Sequence, residues 1–176
     1  MVKVIDNILS ESMLSFLKQR IEDLNFPWYY LPNSAYDDKS THLNYSFSHT
    51  VLSNNEILSQ WFDVTNTSAL VIKDAFQLNS QYKITRLRWG MTTSLNSPHK
   101  HNPHIDQDSP HKTILFYLQD SDGDTYFYNE KKEITDSITP KINRAVLFDG
   151  TLLHSSSKPI KYGRRLVLNI NLEEVK

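Results

Sequence analysis

The chain has 176 residues, 39% of them apolar and 22% charged, with a formal net charge of −1 at neutral pH and no cysteine. That balance excludes a disordered polymer and a bilayer-spanning helix, which needs ~20 consecutive apolar residues. The missing thiols exclude disulfides, thiolate zinc sites, iron–sulfur clusters and cysteine nucleophiles, so any bound metal must be held by histidines and carboxylates.

The length fits a single domain spanning 1–176, enough to bury about 70% of the surface the unfolded chain exposes. Lys131-Lys132 and Arg164-Arg165 are too short to form a basic tract, and with near-zero net charge they argue against a nucleic-acid partner. The opening Met1-Val2-Lys3-Val4-Ile5-Asp6 lacks the apolar core of a secretory signal, and the expected location is the cytoplasm.

In chain order, Ser10 is placed to cap a helix with Leu14, Leu17, Ile21 and Leu24 on one face. Leu9 is positioned to staple against Leu14, and Pro27 to end the helix. Residues 32–40 are polar and turn-rich, which predicts a surface loop near the substrate entrance. A further helical stretch is expected within 55–76, burying Ile57, Leu58, Trp61, Phe62, Leu70 and Phe76. From Tyr82 the period shifts to two, with Tyr82, Ile84, Arg86, Arg88 and Gly90 on one face and Lys83, Thr85, Leu87 and Trp89 on the other. Further strands are predicted at 112–119, 125–128, 145–148, 152–155 and 165–172.

Helices first and short strands afterwards predict an α+β domain, with helical support over about 1–80 and a β core over about 81–172. A double-stranded β-helix, the cupin-like relative of the jelly roll, satisfies this pattern. The four glycines, Gly90, Gly123, Gly150 and Gly163, are each expected at a strand end, where positive φ or close backbone approach is needed.

The chemistry concentrates at His104-Ile105-Asp106 and at His154. If Ile105 is extended, His104 and Asp106 project to one face, and His154 from another strand completes two imidazoles and a carboxylate. The opposite side of a bound metal then stays open, the arrangement suited to a non-heme Fe(II) that must admit co-substrate and dioxygen. His99, His101, His111 and Asp108 crowd the same loop. His101 could supply one imidazole instead; otherwise these four read as solvated loop residues. His42 and His49 are given no role.

In order, His104-x-Asp106, a strand ending Tyr117-Leu118, Gly123-Asp124-Thr125-Tyr126-Phe127, His154 and Gly163-x-Arg165 resemble the 2-oxoglutarate and Fe(II)-dependent dioxygenase superfamily, in its prolyl-4-hydroxylase-like branch. The resemblance runs from about Arg86 to Leu172. The opening Val4-Ile5-Asp6-Asn7, with Asn25-Phe26-Pro27-Trp28-Tyr29-Tyr30, is similar to small phage and marine microbial members.

The resemblance implies iron held by His104, Asp106 and His154, with 2-oxoglutarate as co-substrate and dioxygen as oxidant. It implies hydroxylation of an unactivated C–H bond with release of succinate and carbon dioxide, on a small-molecule or peptidyl, prolyl-like substrate. An arginine is to meet the distal carboxylate of 2-oxoglutarate through paired hydrogen bonds. Spacing from His154 does not choose between Arg164 and Arg165. Alternation favours Arg165, because Leu166, Leu168 and Ile170 form an apolar face and leave Arg165, Val167 and Asn169 on the other, and the Gly163-x-Arg165 register matches the resemblance better than Arg164. Tyr117 is the expected phenol partner of that carboxylate, with Thr113 and Leu115 on its face.

Two departures stand out: Val167 lies where relatives often carry Ser or Thr, and Asp124 where many carry Glu. Phe127 is expected in the core with Thr125 on the facing side near the metal, and Arg86, Arg88, Trp89 and Asn102 at the mouth of the site. Two other readings stay open here: a cupin-like metalloenzyme that needs neither Arg165 nor Tyr117, and a non-catalytic β-sandwich binding module.

Overall fold

The computed structural model describes residues 1–33, 43–78 and 80–175; most of the polar loop expected over 32–40, and His42, lie outside them. The first helix, α1, runs Glu11–Ile21. The Ser10 hydroxyl accepts from the Met13 N–H at 3.3 Å, a cap worth about 1 kcal/mol. Leu9, Leu17 and Ile21 are buried in the core, with Leu14 packed against it. Leu24 is fully exposed, contrary to expectation. The helix ends at Ile21 and the chain turns at Asp23, whose carbonyl accepts from Phe26 N, so the turn precedes Pro27 and takes Leu24 off the helical face.

The helix expected from residue 55 starts later. Strand β3 (Ser46–Ser53) and the short β4 (Glu56–Ile57) form a hairpin, with Ser53 opposite Glu56. The two turn residues, Asn54 and Asn55, have φ of 51° and 66°, as a type I′ turn requires. Helix α2 follows at Phe62–Ala75, burying Thr65, Ser68, Ala69, Ile72 and Lys73. Ile57, Leu58 and Leu70, expected inside, are exposed. The inward stripe keeps helical spacing but is largely polar, and each polar group is satisfied. Trp89 Nε1 donates to Thr65 Oγ1 at 3.1 Å, Ser68 to the Val64 carbonyl at 2.9 Å, and Lys73 to the Tyr82 carbonyl at 3.2 Å.

The remaining strands are β1 (Lys3–Asp6), β2 (Tyr29–Leu31), β5 (Tyr82–Thr93), β6 (Lys112–Tyr117), β7 (Thr125–Tyr128), β8 (Ile134–Ile138), β9 (Arg144–Asp149), β10 (His154–Ser156) and β11 (Arg164–Glu174). They form an eight-stranded sheet in the order β1-β9-β6-β11-β5-β3-β2, with β4 on β3, and a three-stranded sheet β10-β7-β8. The segment before residue 80 therefore supplies strands to the large sheet as well as helices. β1 joins because its four residues pair antiparallel with β9, and the Asp6 carboxylate accepts from Arg144 at 2.6 and 2.8 Å.

Strand β11 lies between β5 and β6, and its two faces meet different surroundings. Leu166, Leu168, Ile170 and Leu172 join the helices in the larger core. Val167 packs with Leu115, Tyr117, Val146, Phe148 and, from the smaller sheet, Phe127. A bulge where Leu172 pairs with Ile84 and Asn171 with Arg86 leaves Thr85 unopposed, re-aiming that end of β5.

No glycine has positive φ. That conformation falls to Asn7, Asn54, Asn55, Asn143, Gln77 and Lys132 among the described residues. Gly90 lies within β5 rather than at its end. At Gly150 the need is space, since an added Cβ would lie 2.0 Å from His111 Nε2.

Candidate metal centre and its cavity

Between β5 and β6 the chain crosses the open end of the sandwich, where His104 forms an isolated antiparallel bridge with His154. His104 N donates to the His154 carbonyl at 2.9 Å and His154 N to the His104 carbonyl at 3.0 Å. This pairing sets the two rings side by side, centroids 4.8 Å apart. Each Nδ1 donates to the carbonyl two residues earlier, His104 to Asn102 at 3.2 Å and His154 to Leu152 at 2.9 Å. Carbonyls only accept, so both rings carry the proton on Nδ1 and keep the Nε2 lone pair for a metal. With Asp106, the three residues offer ligand atoms all within 4.8 Å of one another.

Asp106 is fixed from the large sheet. Asn169 and Asn171 both donate to its Oδ2, at 2.9 and 3.1 Å, while Oδ1 lies 3.8 Å from Arg86 Nη1. Burial opposes ionisation of Asp106, but His154, the Asn169 amide, Arg86 and the Asn171 amide outweigh it and hold the carboxyl well below its usual range. Burial pushes His154 down to about 4, against the pull of Asp106. At neutral pH Asp106 is therefore a carboxylate and His154 a neutral imidazole; with the His104 ring beside them, the two imidazoles and one carboxylate are a donor set that fits a divalent first-row metal.

The centre opens into a cavity of about 480 Å³ lined by Arg86, Arg88, Thr92, Leu115, Arg165 and Asn169, among others. Arg165 is 4% exposed and donates through Nη2 to Thr125 Oγ1 at 2.9 Å. Thr125 in turn meets Tyr117 OH at 2.7 Å, and the guanidinium lies 5.3 Å from the Tyr117 ring centroid. Burial lowers the Arg165 pKa, while Tyr117 and Asp124 act against that; arginine still keeps its charge in proteins. Its Nε has no hydrogen-bond partner, and neither has Thr92 Oγ1 nor Asn169 Oδ1. Arg165 Nε and the Thr92 hydroxyl are donors without partners in the cavity, and with the buried cation they fit an anionic ligand.

The cavity thus gathers His104, Asp106, His154, Arg165 and Leu115. Tyr117 is wholly buried behind Thr125, and Thr113, also wholly buried, accepts from Asn171 at 3.0 Å. Arg164 points away, to Glu22 at 2.5 Å and Gln119 at 3.2 Å. Arg86 and Arg88 line the cavity, whereas Trp89 is wholly buried and hydrogen-bonded to Thr65, and Asn102 is exposed.

His101 and His111 are not solvated loop residues; both are buried, each with Nε2 unpartnered. His101 Nδ1 meets Ser156 Oγ at 2.8 Å, and burial, with neighbouring cations, pushes its pKa down to about 3. His49 bridges the Pro27 carbonyl and Ser59 at 2.7 Å each. Nothing in the sequence marks a role for the two asparagines that orient Asp106. The alternation marks only their face, putting 165, 167, 169 and 171 on one side of β11.

Residues 91–173, which hold all three candidate ligands and Arg165, match the sequence model of the 2OG-Fe(II) oxygenase superfamily. Through that segment the chain is similar to the 2-oxoglutarate-dependent Fe(II) oxygenases, and its fold is the double-stranded β-helix core that they share. That superfamily uses Fe(II), 2-oxoglutarate and dioxygen, and His104, Asp106 and His154 form a candidate metal site here. No curated protein matches the sequence.

Among solved structures, an oxidoreductase of the 2OG-Fe(II) oxygenase family from Burkholderia pseudomallei aligns over 98% of this chain and 84% of its own, with TM-score 0.74 and 11% identity. A prolyl hydroxylase from Trichoplax adhaerens, in complex with a hypoxia inducible factor peptide fragment, aligns over 98% and 83%, with TM-score 0.70 and 15% identity. HygX from Streptomyces hygroscopicus, with nickel and 2-oxoglutarate bound, aligns over 99% and 83%, with TM-score 0.65 and 12% identity. No helix among the described residues is long and apolar enough to cross a membrane.

Proposed function

We propose that residues 1–176 act as one oxygenase unit that hydroxylates an unactivated C–H bond of a prolyl or peptidyl substrate, releasing succinate and carbon dioxide. His104, Asp106 and His154 hold the iron, and Arg165 holds the distal carboxylate of 2-oxoglutarate, positioned by Thr125 and Tyr117. Iron with its bound co-substrate and dioxygen supplies the oxidising power. The chain's own residues orient and exclude water. Asn169 and Asn171 keep Asp106 Oδ2 occupied so that Oδ1 is free to bind, Leu115 gives the co-substrate an apolar wall, and Thr113 fixes Asn171. Arg86 and Arg88 border the space left for the substrate.

The observation that carries this reading is the combination in one cavity of a three-ligand face and a buried arginine that forms no ion pair among the described residues. A cupin-like metalloenzyme without a dicarboxylate has no use for that arginine. The prolyl assignment draws on the prolyl hydroxylases among the structures sharing this fold.

The test is to add Fe(II) and then 2-oxoglutarate to metal-free protein without oxygen and follow the visible charge-transfer band. The band should appear in wild type, vanish in His104→Ala and weaken in Arg165→Ala. Absence of a band despite metal binding would sink the co-substrate assignment. Incubation with proline-containing peptides in air should then add one oxygen atom to the peptide; succinate formation without peptide oxidation would sink the substrate assignment alone.

A further inference from the structure

Arg165 on β11 is the direct cross-strand partner of Thr92 on β5. Side chains so paired stand side by side on one face, Cβ atoms about 5 Å apart, and both line the cavity. Each is buried and each holds a polar atom with no partner, Thr92 Oγ1 and Arg165 Nε. The nearby hydroxyls do not fill this gap. Thr125 Oγ1 is engaged by Tyr117 and by Arg165 Nη2, and the next position on the β11 face is the apolar Val167. A buried O–H and N–H left unpaired side by side are costly. A group with two acceptor oxygens and no proton of its own satisfies both, and a carboxylate is such a group.

We propose that Thr92 is a binding residue for the distal carboxylate of 2-oxoglutarate, donating its hydroxyl to one oxygen beside the Arg165 guanidinium. This rests on the co-substrate reading above. Thr92 supplies from the neighbouring strand the hydroxyl that Val167 cannot. The site then selects a dicarboxylate by one charged fork and one neutral donor, drawn from two strands whose register fixes their separation.

The test is calorimetric titration of nickel-loaded protein with 2-oxoglutarate and with 2-oxopentanoate, which has the same chain length but ends in a methyl group. Thr92→Val, which keeps the shape and removes the donor, should weaken 2-oxoglutarate binding about tenfold and leave 2-oxopentanoate unchanged. Thr92→Ser should retain wild-type affinity for 2-oxoglutarate. Wild-type affinity for 2-oxoglutarate in Thr92→Val, or an equal loss for both ligands, or a Thr92→Ser variant as weak as Thr92→Val, would overturn the assignment. Arg165→Gln separates the two claims. If it weakens 2-oxoglutarate binding while Thr92→Val does not, only the role of Thr92 fails; if neither variant changes binding, the co-substrate reading fails with it.

Discussion

Asp106 shows how much of a candidate metal centre lies outside its proposed ligands. A carboxylate has two equivalent oxygens, and nothing in the residue itself decides which one faces the metal. The decision is made by Asn169 and Asn171, whose amides both donate to Oδ2. Losing such outer contacts typically costs 10–100-fold in metal affinity. Asn169→Ala should therefore lower nickel affinity by roughly that range, measured by titration calorimetry, with the far-ultraviolet dichroism unchanged. Wild-type affinity would mean that the amide does not orient the ligand.

The three residues that the structure brings together, His104, Asp106 and His154, are legible in the sequence as a His-x-Asp and a distant histidine. The asparagines were legible only as positions on a face, because an amide in a strand carries no sign of the carboxylate it will meet across space. His101 and His111 misled for a related reason: a histidine-rich loop looks solvated until the strands that cover it are in place.

At the scale of elements, β11 and α2 stand at opposite ends of legibility. In β11 each second residue is apolar against the helices, so the period of two is plain and Arg165 falls on the cavity side. In α2 the inward stripe includes Thr65, Ser68 and Lys73, and a reading by hydropathy selects other residues. These polar groups are tolerated because each finds a partner, which follows from packing rather than from the helix. Thr65→Val removes the acceptor of the buried Trp89 N–H while preserving volume. It should cost about 1–3 kcal/mol, read from urea unfolding, and shift the tryptophan emission. Unchanged stability would mean that the Trp89 N–H is satisfied elsewhere. The β3–β4 hairpin is hidden for a local reason, since the helical reading of 55–76 begins at Asn55, which with Asn54 adopts positive φ.

For the whole molecule, buried histidines tie stability to pH. His101 has its pKa pushed down from 6.5 to about 3. Between those values the unfolded chain takes up a proton that the folded chain refuses, so stability is full above the unfolded value and falls as pH drops towards 3. One such group contributes a slope of at most about 1.4 kcal/mol per pH unit. His154, pushed down to about 4, acts in the same direction. Urea unfolding of metal-free protein should therefore show stability declining below about pH 6.5, and less steeply in His101→Gln. An identical slope in that variant would show that His101 is not a buried neutral base.

The three proposed ligands belong to different parts of the sandwich. His154 lies on β10 of the small sheet, Asp106 is moored by its asparagines to β11 of the large one, and His104 rides on the crossing segment between β5 and β6. A cation bound to all three is a rivet through both layers, so occupancy and global unfolding become one equilibrium. At a free metal concentration 100 times its dissociation constant, that linkage adds about 2.7 kcal/mol. Chelation would then lower the melting temperature of the whole domain rather than loosen the crossing segment alone.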